Sequence, residues 1–181
     1  FIRAVAPTIG GINLEDVAAP ECFDIDKAVH NDLGIPFFHD DQSGTAIVVT
    51  AAIQNALKIT GKNIADCKFV FSGAGAAALA CADLLIHVGA DIKKFHIFDS
   101  KGLIHTQRVL DDNKRRFAQQ NDASMRESLV DADIFIGLSK GNLLVSDDIK
   151  NMAQNPVILA LANPTPEILP NDAKAARPDA I

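Results

Sequence analysis

Tryptophan and tyrosine are both absent from the 181 residues, so neither an indole nor a phenol is available to any chemistry the chain carries. Cysteine is scarce. Cys22, Cys67 and Cys81 are odd in number and show no C-x-x-C spacing, which argues against a disulfide framework and fits a reducing cytoplasm. Long apolar runs are missing too: none approaches the roughly 18–20 residues that a bilayer span needs. Positive charge is in deficit, with 17 Lys and Arg against 23 Asp and Glu for a net charge of −6, and there is no basic run. Nucleic acid and anionic membrane are therefore poor candidates as partners. The opening Phe1-Ile2-Arg3-Ala4-Val5 lacks the shape of a signal peptide and does not begin with Met.

What is present is an ordinary globular composition, 48% hydrophobic and 22% charged, in a chain long enough to bury a core. Nothing repeats, and no segment is of low complexity. Arg3–Pro7 opens as though an element were already running, and Pro178–Ile181 stops where a strand is about to begin, so an internal piece of a longer polypeptide is expected.

Strand and helix patterns alternate along the chain. Pro20 suits a first helical turn and Gly34 the residue after the end of that helix, with Cys22, Phe23, Ile25, Ala28, Val29 and Leu33 as its apolar stripe. Ile35–His39 reads as extended. A helix over Gln42 to about Thr60 is apolar almost all round and is expected to be buried. Cys67–Ser72 reads as a strand, Ala76–Val88 as a helix and Phe95–Phe98 as a second strand ended by Asp99. Amphipathic material over 111–130, a strand over 133–138, a helix over 147–153 and a strand over 157–161 follow. Strands this apolar, separated by helices, predict an α/β fold with a doubly wound parallel sheet.

Three features carry chemistry. Gly73-Ala74-Gly75-Ala76-Ala77-Ala78 is a G-x-G-x-x-A turn between a predicted strand and a predicted helix. Its first Gly permits the tight turn, its second lets a pyrophosphate approach the backbone, and Ala78 lets helix lie on strand. Free N–H groups at the helix start form the anion site. Asp99, ending the next strand, can accept from ribose hydroxyls. Second, the acidic pairs Glu15-Asp16 and Asp40-Asp41 each follow an extended piece and can converge on a hard cation such as Mg²⁺ or Mn²⁺; the alternative is a pair of solvated turns or caps. Third, Asn163 lies in Ala162-Asn163-Pro164-Thr165-Pro166-Glu167 at the carboxyl end of the last strand, the edge where ligands of open parallel sheets bind; a rigid exit turn is the alternative. The five His show no shared spacing, and Cys67 and Cys81 read as small buried residues.

These segments, in this order, resemble the malic enzyme family of bacterial type. Pro7–Asp16 with Ala19–Phe23 is similar to its metal segment, and Phe38–Ala46 to its second acidic motif. Ser72–Ala78, Phe98–Gly102 and Ala162–Ile168 are similar to its later blocks. The resemblance implies a Rossmann-type dinucleotide-binding domain over 43–181, cut at its C-terminal end and preceded over 1–42 by the end of the malic domain. It also implies oxidative decarboxylation of (S)-malate to pyruvate and CO₂ with NAD or NADP, in a homodimer or larger homo-oligomer. Glu15, Asp16 and Asp41 would ligate the Mg²⁺ or Mn²⁺, with Asp40 supporting them beside the general base. Gly73, Ala74, Gly75, Ala76 and Ala77 would line the pyrophosphate, Asp99 the adenosine ribose, and Asn163 the nicotinamide and substrate side.

Ser43 stands where many relatives have His. The family's Tyr acid and Lys base lie upstream of the metal segment, and neither role falls on a residue of this chain. Two rivals stay open, a malolactic-type decarboxylase and a nucleotide-binding module without chemistry. So does the choice of cofactor: Asp99 leans to NAD, whereas Ser100, Lys101 and Arg108 would tolerate a 2′-phosphate.

Overall fold

A computed structural model describes residues 1–17, 21–30 and 32–181. The first quarter of the chain is a small unit: α1 (Ile2–Val5), β1 (Ile12–Leu14), α2 (Glu21–Val29) and β2 (Phe37–His39). β1 and β2 pair in parallel, Leu14 opposite His39, and Leu14, Val29 and Phe37 form their own apolar cluster. A long helix, α3 (Thr45–Thr60), leads into the larger unit. There β3 (Phe69–Ser72), α4 (Ala76–His87), β4 (Phe95–Asp99), β5 (Gly102–Leu103), α5 (Asp112–Arg115) and α6 (Met125–Leu129) are followed by β6 (Ile134–Gly137), α7 (Ser146–Lys150), β7 (Val157–Ala160) and α8 (Pro170–Ala176).

The five-stranded sheet has the order β5-β4-β3-β6-β7, parallel except for the two-residue edge strand β5. Its strands are apolar at successive positions because both faces are covered. Phe69, Phe71, Ile97, Ile134 and Ile136 point to one face, where they meet Val49 and Ile53 of α3 and Leu79, Ala82 and Leu85 of α4. Val70, Phe98 and Phe135, one residue out of phase, point to the other face and meet Leu129, Ile149 and Ala173 from α6, α7 and α8. Each fully buried Phe or Ile contributes roughly 1.5–3 kcal/mol relative to exposure. The doubly wound α/β expectation holds. Arg177 fastens the last helix, donating to the carbonyls of Met152 and Ala153 and to Asp179. The Arg177 bonds to Asp179, together with the Asn155 N–H that the same carboxylate accepts, hold the Asp179 carboxyl well below the usual range.

The differences from the sequence reading have local causes. The single amphipathic stretch over 111–130 is two short helices because it contains two N-caps. The Asp111 carboxylate accepts from the Lys114 N–H at 3.0 Å, and Ser124 and Glu127 form a reciprocal capping box at 3.2 and 2.8 Å. α3 begins at Thr45 rather than Gln42 because Asp40–Gly44 form one wide turn of π type. It is also not buried all round, since Ile47, Val48 and Ile59 are 53%, 64% and 75% exposed. α2 ends at Val29, ahead of Gly34, which sits in the following turn with φ +67°; Pro20 lies outside the described residues. β5 and α8 had no counterpart in the pattern. Cys22, Cys67 and Cys81 are free and buried, and burial pushes the thiols of Cys67 and Cys81 up to about 11 and about 12. Among the described residues, no helix is long and apolar enough to cross a membrane.

Candidate functional site

Strand order places the site. The chain leaves β3 for β4 on one side and returns to β6 on the other, so a crevice opens beyond the carboxyl ends of β3 and β6. The glycine turn lies in it. Gly73 has φ +116°, and a Cβ there would stand 2.6 Å from the Leu138 carbonyl oxygen, so only Gly lets the β3 turn pass the β6 exit this closely. Its N–H donates to the Phe98 carbonyl at 2.8 Å. Gly75 is the residue before α4, and a Cβ on it would meet nothing within 4 Å: it faces open space. Among the described residues no side chain caps the start of α4, which leaves the N–H groups around Ala76 and Ala77 open to an anion. Ala78, 1% exposed, sits against the sheet core.

A cavity of about 640 Å³ fills this crevice, a size within the usual range for small-molecule sites. Ser72, Gly73, Ala74 and Gly75 line one side, Asp99 and Lys114 another, and Ser139 and Lys140 a third. Asp99 is where the motif placed it, at the end of β4, but both of its carboxylate oxygens already accept from one terminal nitrogen of Arg108, Nη2, at 2.9 and 2.7 Å, while Nη1 donates to the Gly102 and Leu103 carbonyls. The carboxylate also accepts the Lys101 N–H at 2.8 Å. The Lys114 ammonium is 3.8 Å away. Burial works to raise the Asp99 pKa, yet the Arg108 and Lys101 hydrogen bonds and the two cations outweigh it and hold the carboxyl below its ordinary value.

A carboxyl with a lowered folded pKa contributes stability that is fully present above its unfolded value, about 3.9. That contribution is lost as pH falls through the lowered folded value. In Asp99→Asn the gap in urea midpoint to the parent should therefore be constant above about pH 5 and shrink below about pH 4. A gap independent of pH would refute this assignment.

Asn163 lies past the end of β7, exposed, on the same sheet edge but two strands from the glycine turn, and it does not line the cavity. The acids form a second locus. Parallel pairing of β1 and β2 delivers Glu15-Asp16 and Asp40-Asp41 to the same end of adjacent strands. The Asp16 N–H donates to the Asp41 carboxylate at 3.1 Å, and the Asn13 amide donates to Glu15 at 3.3 Å. Asp40 packs against the turn that Gly44 leaves open, where a Cβ would stand 2.5 Å from its carboxylate oxygen. Asp16 and Asp41 are thus brought together. Among the described residues, no three acidic, His or Cys side chains lie close enough to hold one ion. His39, 3% exposed, has neither ring nitrogen partnered among the described residues. Sequence reasoning missed Lys114, Ser139 and Lys140. The edge rule applied to Asn163, extended to the polar residues after β6, would have found the last two.

A family model described as the NAD-binding domain of malic enzyme matches residues 42–177. The chain belongs to the malic enzyme family. It is 49% identical to an NAD-dependent malic enzyme of Rhizobium meliloti and 48% identical to an NADP-dependent malic enzyme of Escherichia coli, each match covering 99% of this chain and 24% of the relative. The crystal structure of the Entamoeba histolytica malic enzyme superposes with a TM-score of 0.91 at 38% identity, over 98% of this chain and 39% of that one. The chain therefore spans about a quarter of the length of these curated relatives.

Proposed function

We propose that the chain supplies the nucleotide crevice and the acidic edge of an enzyme that oxidatively decarboxylates (S)-malate to pyruvate and CO₂, reducing NAD⁺ or NADP⁺. The observation that carries this reading is the delivery of two acid pairs to one end of adjacent parallel strands in a chain whose other locus is a dinucleotide crevice. A module that only bound nucleotide would need no such acids.

In this reading the α4 start and the Gly75 gap hold the pyrophosphate, and Asp99 with Arg108 and Lys114 holds the adenosine ribose. Asp99 offers remaining lone pairs to ribose hydroxyls, while the two cations beside it accommodate a 2′-phosphate, so the assignment is to NAD or NADP. Asn163 borders the nicotinamide side. Glu15, Asp16 and Asp41 would close on a divalent cation as it binds, since in this chain alone their side chains do not converge on one point, and Asp40 would support them. The donors are all carboxylate oxygens, which suits Mg²⁺ or Mn²⁺, and the Asp16 main-chain N–H already holds the Asp41 carboxylate at this edge. When bound, such a cation would supply Lewis-acid polarisation of the substrate oxygens, and the nucleotide would supply the hydride acceptor. The proton donor and acceptor come from residues outside this chain, which has no Tyr.

The reading divides the chain after residue 42. The separate apolar cluster of the β1–β2 unit and the start of the family match at residue 42 support that division. The homo-oligomeric state that the resemblance implies and three free cysteines extend the reading to a cytoplasmic homodimer or larger assembly. The test uses the full-length enzyme with Mn²⁺ and malate, followed by absorbance at about 340 nm and by product analysis. Pyruvate with stoichiometric NADH or NADPH is expected. Lactate without net reduction would replace the reading with malolactic decarboxylation, and nucleotide binding without any product would replace it with a regulatory module.

A further inference from the structure

Glu167 is 0% exposed, which for a carboxyl calls for an explanation, since a buried polar group is costly unless its hydrogen bonds are made. Its hydrogen-bond partners among the described residues are two main-chain donors from two different loops. One carboxyl oxygen accepts the Ser139 N–H at 3.1 Å, on the loop leaving β6, and the other accepts the Ala162 N–H at 3.1 Å, on the loop leaving β7. Gly137, at the end of β6, makes room for this group: a Cβ there would stand 2.2 Å from the carboxyl carbon. The same two loops are laced by their backbones. The Asn142 N–H donates to the Pro166 carbonyl at 2.9 Å and the Leu144 N–H to the Glu167 carbonyl at 3.0 Å. A Cβ on Gly141 would stand 2.5 Å from the Thr165 carbonyl oxygen.

The lacing continues to the glycine turn. Ser139 Oγ and Ser72 Oγ share a hydrogen bond of 2.5 Å, and Ser72 immediately precedes Gly73. A continuous path therefore runs along the carboxyl edge of the sheet: Gly73, Ser72, Ser139, the Glu167 carboxyl, Ala162, Asn163. We infer that Glu167 is a positioning residue, whose buried carboxyl clamps the β6 and β7 exit loops together and so sets Asn163 at a fixed distance from the pyrophosphate turn, where the nicotinamide end of the cofactor must lie. The inference rests on the cofactor placement proposed above. Its chemistry is simple: one carboxyl provides acceptors to two N–H groups that lie outside any strand pairing, and an amide in its place provides only one.

Glu167→Gln keeps the volume but sets an NH₂ against one of the two donors, and Glu167→Asp keeps the acid on a stem too short to reach both. Each is made in the full-length enzyme, and three quantities are measured: affinity for ADP-ribose, which lacks the nicotinamide, affinity for NAD⁺ or NADP⁺, and kcat with malate. The expected result is ADP-ribose affinity within about twofold of the parent, with weakened cofactor binding and kcat lowered on the order of 10- to 100-fold, the penalty of a misplaced reacting group. Parental kcat and cofactor affinity in either folded variant would overturn the inference. So would ADP-ribose affinity falling in step with kcat, which marks a merely structural role. The binding comparison needs no malate, so it decides on Glu167 even if the parent makes no pyruvate, an outcome that instead removes the proposed reaction.

Discussion

Gly75→Val should weaken binding of both NAD⁺ and NADP⁺ by about 1.5–3 kcal/mol, the range of a hydrogen bond to a charged group. That corresponds to roughly 10- to 150-fold in Kd. The expectation follows from what surrounds the position. A Cβ at Gly75 meets no atom of the described residues within 4 Å, so the fold they form has room for a side chain there. Its φ of −84° is one that any residue adopts, so strain does not enter either. Branched methyl groups would instead fill the space in front of the uncapped α4 N–H groups, which is where a pyrophosphate has to sit. Calorimetric titration with both cofactors and a thermal melt check the expectation together. A lost affinity with an unchanged melt supports the site, and parental affinity rules it out. Gly73 makes a poor probe of the same question, because φ +116° and the Leu138 carbonyl would penalise any side chain there whether or not a nucleotide binds.

Asp41→Asn should lower malate turnover by more than about a hundredfold, since even groups that only support metal ligands typically cost 10- to 100-fold in affinity or activity. Cofactor affinity should stay within about twofold, because the acidic edge and the Gly75 crevice lie on separate sheets. The amide keeps an oxygen to accept the Asp16 N–H, so the local turn survives while the negative charge is gone. Turnover measured against Mn²⁺ concentration should show a raised metal requirement. Unchanged turnover at limiting Mn²⁺ would remove Asp41 from the proposed ligand set, and with it the strongest reason to read this edge as catalytic.

Much of the fold was legible because its signals are local. Apolar strands covered on both faces announce themselves as short runs, as with Phe69–Ser72 and Ile134–Gly137, and Gly73 and Gly75 mark a turn whose backbone needs are met nearby. The amphipathic stretch over 111–130 misled because periodicity reports a face, not continuity. The caps at Asp111 and Ser124, which cut it, are short polar residues that also suit a helix surface. α3 misled in the other sense: being apolar all round says nothing about which side a sheet will cover, and the exposed Ile47, Val48 and Ile59 show only one side covered.

The candidate site divides along the same line. From residue types and spacing alone came the glycine turn, Asp99 at a strand end and the two acid pairs, because each is a contiguous motif, and the family came from the resemblance of those segments, in their order, to known ones. Only the tertiary structure decided what meets what. It put the β1 and β2 ends side by side, so that the Asp16 N–H reaches the Asp41 carboxylate across 25 positions of chain. It gave Asp99 to Arg108 and Lys114, brought Ser139 and Lys140 into the crevice beside Ser72, and buried Glu167 between two exit loops. These are long-range pairings, set by strand order and by the burial of both sheet faces, and no local pattern encodes them: a Glu four residues after an Asn reads as a solvated loop acid until β6 is laid beside β7 and the carboxyl closes over Gly137.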